Sequence, residues 1–178
     1  MNHTICLQVP GHIRYTQIVE DFTRSISRHF FPEAGHQHDD LCMVMNEIFT
    51  NIVKHSDTKK SREIIEIQMI INPVELKISV LDHGPGIMVK KQRPPYDNNL
   101  VGHREPFRKV LDGTVYLTVN SPRQLSFSFE NEAIVNDLHQ FHGHGFGLSI
   151  ITKIMDRLTY SALADGKYNW EMIKKIQP

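Results

Sequence analysis

Between residues 41 and 56 the chain reads LCMVMNEIFTNIVKHS. Leu41, Val44, Met45, Ile48 and Ile52 recur at helical spacing, which predicts an amphipathic helix over 40–56 with that stripe turned to a core. Glu47, Asn51 and His55 stand four apart, so they stack along one edge of the stripe. A carboxylate, an amide and an imidazole beside a buried face each need a partner wherever water is removed. The plainer alternative is the wet side of an ordinary surface helix.

The remaining pattern frames this helix. His3–Val9 alternates through Ile5, Leu7 and Val9 and is closed by Pro10-Gly11, a first strand at a sheet edge. Tyr15, Ile18, Val19, Phe22, Ile26 and Phe30 predict a helix over 14–31, stopped by Pro32. Asp39 or Asp40 can cap the helix that follows. After a charged connection at 57–62, strands at 64–71 and 74–81 are joined by the short Asn72-Pro73 link into an antiparallel hairpin with one covered face. Met88–His142 is the least regular span. Pro94-Pro95 and Asn98-Asn99 mark loop, 114–119 and 125–129 pattern as strands joined at Ser121-Pro122, and Ala133–Phe141 reads as a short helix. Poor periodicity there predicts few buried contacts and a mobile segment. A helix at 147–156 and strands at 157–163 and 168–176 complete the chain. The expected architecture is an α/β (α+β) two-layer sandwich. Its mixed, mostly antiparallel sheet comprises 3–9, 64–71, 74–81, 157–163 and 168–176, with helices 14–31, 40–56 and 147–156 on one face.

Composition narrows the function classes. At 178 residues the chain reads as one domain over 1–178 with an insertion at about 88–142. Lys plus Arg and Asp plus Glu are 20 each, so net charge is zero, and no long basic run invites nucleic acid. Cys6 and Cys42 sit among apolar residues and read as buried thiols in a reducing compartment, not as a disulfide framework. With no signal pattern and no apolar run near the ~20 residues of a membrane span, a cytoplasmic protein off the membrane is expected.

Two stretches carry candidate chemistry. The second hairpin strand runs into Asp82-His83-Gly84-Pro85-Gly86-Ile87. A carboxylate at a strand end can accept a hydrogen bond from an exocyclic amine, and glycines let a ligand approach backbone closely. The same residues also make an ordinary turn. Gly143-His144-Gly145-Phe146-Gly147-Leu148 precedes a helix, where free N–H groups and the helix dipole favour phosphate. No Gly-Lys-Ser/Thr follows, so this is not a Walker loop, and no βαβ unit surrounds it. His36 and His38 beside Asp39 and Asp40, and the cluster His139, His142 and His144, lack a specified further ligand and read as solvated loops.

Taken in order, Glu47-x3-Asn51 on a helix, Asp82-x-Gly84-x-Gly86 after a strand and Gly143-x-Gly145-x-Gly147 opening a helix resemble the ATP-binding fold of gyrase, Hsp90, histidine kinases and MutL (the GHKL superfamily). Within it the chain is most similar to the anti-sigma-factor serine/threonine kinases, whose helix box reads Glu-x-x-Thr-Asn-x-x-x-His; here Glu47, Thr50, Asn51 and His55 stand at those places. The resemblance implies a histidine-kinase-like ATPase fold and an ATP-dependent protein serine/threonine kinase that uses ATP and Mg²⁺. Glu47 would be the catalytic base and Asn51 the Mg²⁺ ligand. Asp82 would read adenine, with Gly84, Gly86 and Ile87 beside the base and Gly143, Gly145, Phe146, Gly147 and Leu148 around the phosphates. It also implies a sigma factor or similar regulator as partner, a STAS-domain anti-anti-sigma protein as substrate, and a possible homodimer. The extra hairpin between the glycine boxes departs from the family's short lid, and the resemblance does not cover roughly 97–140. Two rival readings remain. One is an ATP-binding module of a two-component system, disfavoured because only one helix precedes Glu33. The other is a binding protein that responds to ATP and transfers nothing, disfavoured by retention of Glu47.

Overall fold

Alternation along the strands becomes rows of apolar side chains running across one sheet. In the computed structural model, which describes residues 2–32, 35, 37–55, 63–132 and 147–176, the strands are β1 (His3–Pro10), β2 (Ile64–Ile71), β3 (Glu75–Asp82), β4 (Arg104–Val110), β5 (Gly113–Ser121), β6 (Gln124–Asn131), β7 (Arg157–Ala162) and β8 (Tyr168–Lys175). They form one eight-stranded sheet ordered β1-β2-β3-β8-β7-β6-β5-β4. Every pairing is antiparallel, so the parallel pairs that a mixed sheet allowed are not used among the described residues. One cross-strand row runs Leu7–Ile67–Val80–Trp170–Tyr160–Leu125–Val119, and the next runs Ile5–Met69–Ile78–Met172–Leu158–Phe127–Leu117. Because the side-chain period is two, both rows face the same way.

The helices α1 (Thr16–Phe30), α2 (Gln37–His55) and α3 (Gly147–Ile154) cover that face. α2 buries Leu41, Cys42, Val44, Met45, Ile48, Phe49 and Ile52, the expected stripe with two neighbours added. Each such large apolar side chain contributes about 1.5–3 kcal/mol on burial. α2 begins at Gln37, earlier than expected, so Asp39 and Asp40 fall in its first turn, where the helix dipole favours them. Asp39 there accepts from Arg24 of α1 at 2.7 Å. Ser27 and His38 share a second bond between the two helices. The β2–β3 link is an Asx turn, Asn72 Oδ1 accepting from Val74 and Glu75 N–H at 2.9 and 3.0 Å.

The expectation of few buried contacts across 88–142 is corrected over its described part. β4, β5 and β6 continue the main sheet, and Val89, Tyr96, Val115, Leu117, Val119 and Leu125 are each at most 3% exposed. The strand pattern at 114–119 and 125–129 is present, and the third strand, REPFRKV, was hidden by its charges and proline. The physical premise for a mobile segment therefore does not hold over 104–131. The helix expected at 133–141 lies outside the described residues, as do His36, His139, His142, His144, Gly143, Gly145 and Phe146.

Gly113 shows how tightly the added strands are seated. A Cβ there would overlap the backbone oxygen of Glu130 on β6 and the ring of Phe129. Gly113→Ala should lower stability by about 1–3 kcal/mol, the usual cost of overpacking, because backbone cannot rotate out of the way. Urea unfolding read by Trp170 fluorescence checks this; an unchanged midpoint would mean that the hairpin is only loosely attached to the sheet.

Candidate functional site

Alternation on β3 sends Ile78, Val80 and Asp82 to the helix-covered face, so the strand's last residue carries a carboxylate into an apolar layer. Asp82 is 6% exposed. Burial pushes its carboxyl above the ordinary value of 3.8. Two N–H groups oppose that: Gly84 N donates to Oδ1 at 2.6 Å and Trp170 Nε1 donates to Oδ2 at 2.9 Å. Each oxygen thus holds one protein donor, and a carboxylate retains lone pairs for another. Trp170 pairs with Val80, two residues back on the same face, which is the diagonal reach that large side chains span in a sheet.

The chain after Asp82 is held close. Gly86 has φ of 81°, and a Cβ would lie 2.5 Å from the Tyr168 hydroxyl, so both backbone and space demand glycine. Tyr96 Oη donates to the Ile87 carbonyl at 2.8 Å and ties down the loop's end. On α2, Glu47 and Asn51 are half-buried one turn apart. α3 opens against them: a Cβ on Gly147 would overlap Glu47 Oε2 and lie 3.0 Å from Asn51 Nδ2. The first residue of α3 therefore has to be glycine for the two polar side chains to keep their places.

A cavity of about 340 Å³ joins these parts, lined by Asn51, Asp82, Gly84, Gly86, Ile87, Gly147 and Leu148 among others. Its size lies within the range of small-ligand sites. Glu47 is not in the wall itself but touches Gly147, which is. Sequence reasoning missed Tyr160, Trp170, Phe107 and Arg108, which line the same space. Trp170, the single tryptophan, was the available signal. Phe107, Phe127 and Trp170 follow one another with ring centroids 5.6 and 5.7 Å apart, and Tyr160 lies 4.6 Å from Trp170. His55, the last residue of α2, also reaches the cavity and is exposed.

An aromatic floor beside a buried acceptor suits a flat heterocycle bearing an amine. The Asn51 amide near a helix N-terminus suits an anion and a hard cation together. The residues present therefore fit a nucleotide with Mg²⁺. Among the described residues no group of three or more His, Cys, Asp and Glu comes together as a metal centre. No described helix is long and apolar enough to cross a membrane.

The model of the family "Histidine kinase-like ATPase domain" matches residues 10–174. No curated protein matches the chain in sequence. A chain in the crystal structure of the SiaB-SiaC complex from Pseudomonas aeruginosa is similar in fold, with a TM-score of 0.51 at 13% identity, covering 97% of this chain and 89% of that one. The antiparallel sheet and the helices on one face are thus those of a shared fold, and the chain belongs to the histidine kinase-like ATPase domain family.

Proposed function

We propose that the protein is an ATP-dependent serine/threonine protein kinase of the anti-sigma regulatory kind. It binds a sigma factor or comparable regulator and phosphorylates an antagonist protein of the STAS fold. Family membership supports ATP as the ligand, and the similar fold found in a two-protein complex supports a protein partner. One observation carries the reading: Asp82 and Asn51 line the same cavity, and Glu47 abuts Asn51's neighbour Gly147. Phosphoryl transfer asks mostly for positioning and charge neutralisation, so a short list of groups suffices.

Each residue has a distinct task. Asp82 accepts from the exocyclic amine, with Gly84 and Gly86 leaving room for the base. Asn51 offers its amide oxygen to Mg²⁺, which when bound neutralises phosphate charge. Gly147 and Leu148 begin the helix whose N–H groups face the phosphates, and the family resemblance assigns Gly143, Gly145 and Phe146 to the same phosphates. Glu47 holds the incoming hydroxyl and takes up its proton. The protein works in the cytoplasm.

The deciding experiment is recovery of the bound partner on immobilised protein, followed by transfer from labelled ATP to whatever is recovered. Phosphoserine or phosphothreonine on that partner is expected. Acid-labile label on histidine would favour a two-component module instead, and ATP-dependent partner binding without transfer would leave a binding protein.

A further inference from the structure

β4 does not alternate regularly through its middle. Pro106 pairs with Tyr116 and Arg108 with Val115, so the register shifts at Phe107. Successive residues of a regular strand point to opposite faces. Phe107 and Arg108 nevertheless both line the cavity, and re-aiming a side chain is what a bulge next to a site does. Phe107 fixes the strand in place: its ring meets Phe127 edge-on, and Phe127 stacks on the Trp170 that holds Asp82.

Arg108 is then conspicuous by its charge. The other charged side chains of β4 are paired: Arg104 with Glu130 at 2.5 Å, Glu105 with His103 at 2.8 Å and Lys90 at 3.7 Å, and Lys109 with Glu132 at 3.7 Å. Arg108 has no ion pair or hydrogen bond among the described residues, yet it shares the cavity wall with Asn51 and Gly147. A guanidinium presents five N–H donors in a planar fork that matches phosphate oxygens two at a time. Among the described residues no carboxylate other than Asp82 lines the cavity, and Asp82 already holds two donors.

We propose that Arg108 binds the phosphate groups of the nucleotide, so that the strand added between the two glycine boxes supplies a cation to the site. This rests on the nucleotide reading of the cavity given above. The bulge matters as much as the arginine, since without it one of Phe107 and Arg108 would leave the cavity.

The test compares wild type, Arg108→Gln and Arg108→Lys by calorimetry with ATP, ADP and adenosine at two salt concentrations. Arg108→Gln should weaken ATP roughly 10–100-fold, the size of a lost charged pair of hydrogen bonds, and flatten its salt dependence. Adenosine affinity and melting temperature should not change, because the residue is exposed and unpaired. Arg108→Lys should recover part of the loss. Equal weakening of ATP and adenosine would assign Arg108 a packing role and overturn the proposal, as would unchanged ATP affinity. Wild-type protein that binds neither ATP nor adenosine would overturn the nucleotide reading itself, and this proposal with it.

Discussion

Glu47→Gln should bind ATP and partner as the unchanged protein does and transfer phosphate roughly 10²–10⁴-fold more slowly, or about 3–5 kcal/mol of barrier. The exchange keeps the side chain's shape and one acceptor oxygen, and removes the proposed base. It leaves the cavity wall intact, since Glu47 meets it through Gly147. A loose, metaphosphate-like transition state asks less of a base, which places the expected loss toward the lower end. Asn51→Ala behaves differently. It removes the amide proposed to hold the cation, so Mg²⁺-dependent nucleotide affinity and transfer should fall together. Single-turnover transfer from labelled ATP, beside nucleotide affinity for each variant, separates the two. Wild-type transfer by Glu47→Gln would make the carboxylate structural, leaving an ATP-responsive binding protein.

The parts of this site that lie within one element were legible in the sequence, and the parts made by distant strands were not. Glu47 and Asn51 are one turn apart on a helix whose apolar stripe is unambiguous, so their shared edge follows from spacing alone. Asp82 could be placed at a strand end because β3 alternates cleanly up to it. Trp170 could not be attached to Asp82, because that contact requires knowing that β8 lies beside β3, 88 residues away. Phe107 and Arg108 were harder still. β4 is an edge strand, and edge strands carry prolines, charges and bulges that discourage pairing with other chains, which erases the period-two signal. The same features that hid the strand bring its two residues to the cavity. The span once expected to be sparse in contacts thus adds a wall to the site.

Asp82→Asn should cut ATP affinity about 10–100-fold and abolish the preference for ATP over GTP. The carboxylate accepts from three sides in this reading: Gly84, Trp170 and the adenine amine. An amide has one acceptor oxygen and one donor NH₂. Its nitrogen must face either the indole N–H or the Gly84 N–H, leaving a buried donor unmet at a cost of about 1–3 kcal/mol. Turned toward the base, the same nitrogen would repel an amine and welcome the carbonyl that guanine carries there. Acid provides an independent check. Burial raises the Asp82 carboxyl above 3.8, so it takes up its proton at higher pH in the folded protein than in the unfolded chain. Protonation then favours the folded state, and the group's contribution to stability rises as pH falls through the raised value and levels off below 3.8. Nucleotide binding runs the other way, since the protonated group loses acceptor capacity. ATP affinity should therefore decline over that window while the nucleotide-free protein gains stability from this group, and Asp82→Asn should show neither limb. Calorimetry with ATP and GTP across that pH range, beside melting temperature, measures both. Equal affinities for the two nucleotides in wild type and variant alike would remove Asp82 from base recognition and leave it as a strand-end anchor for Trp170.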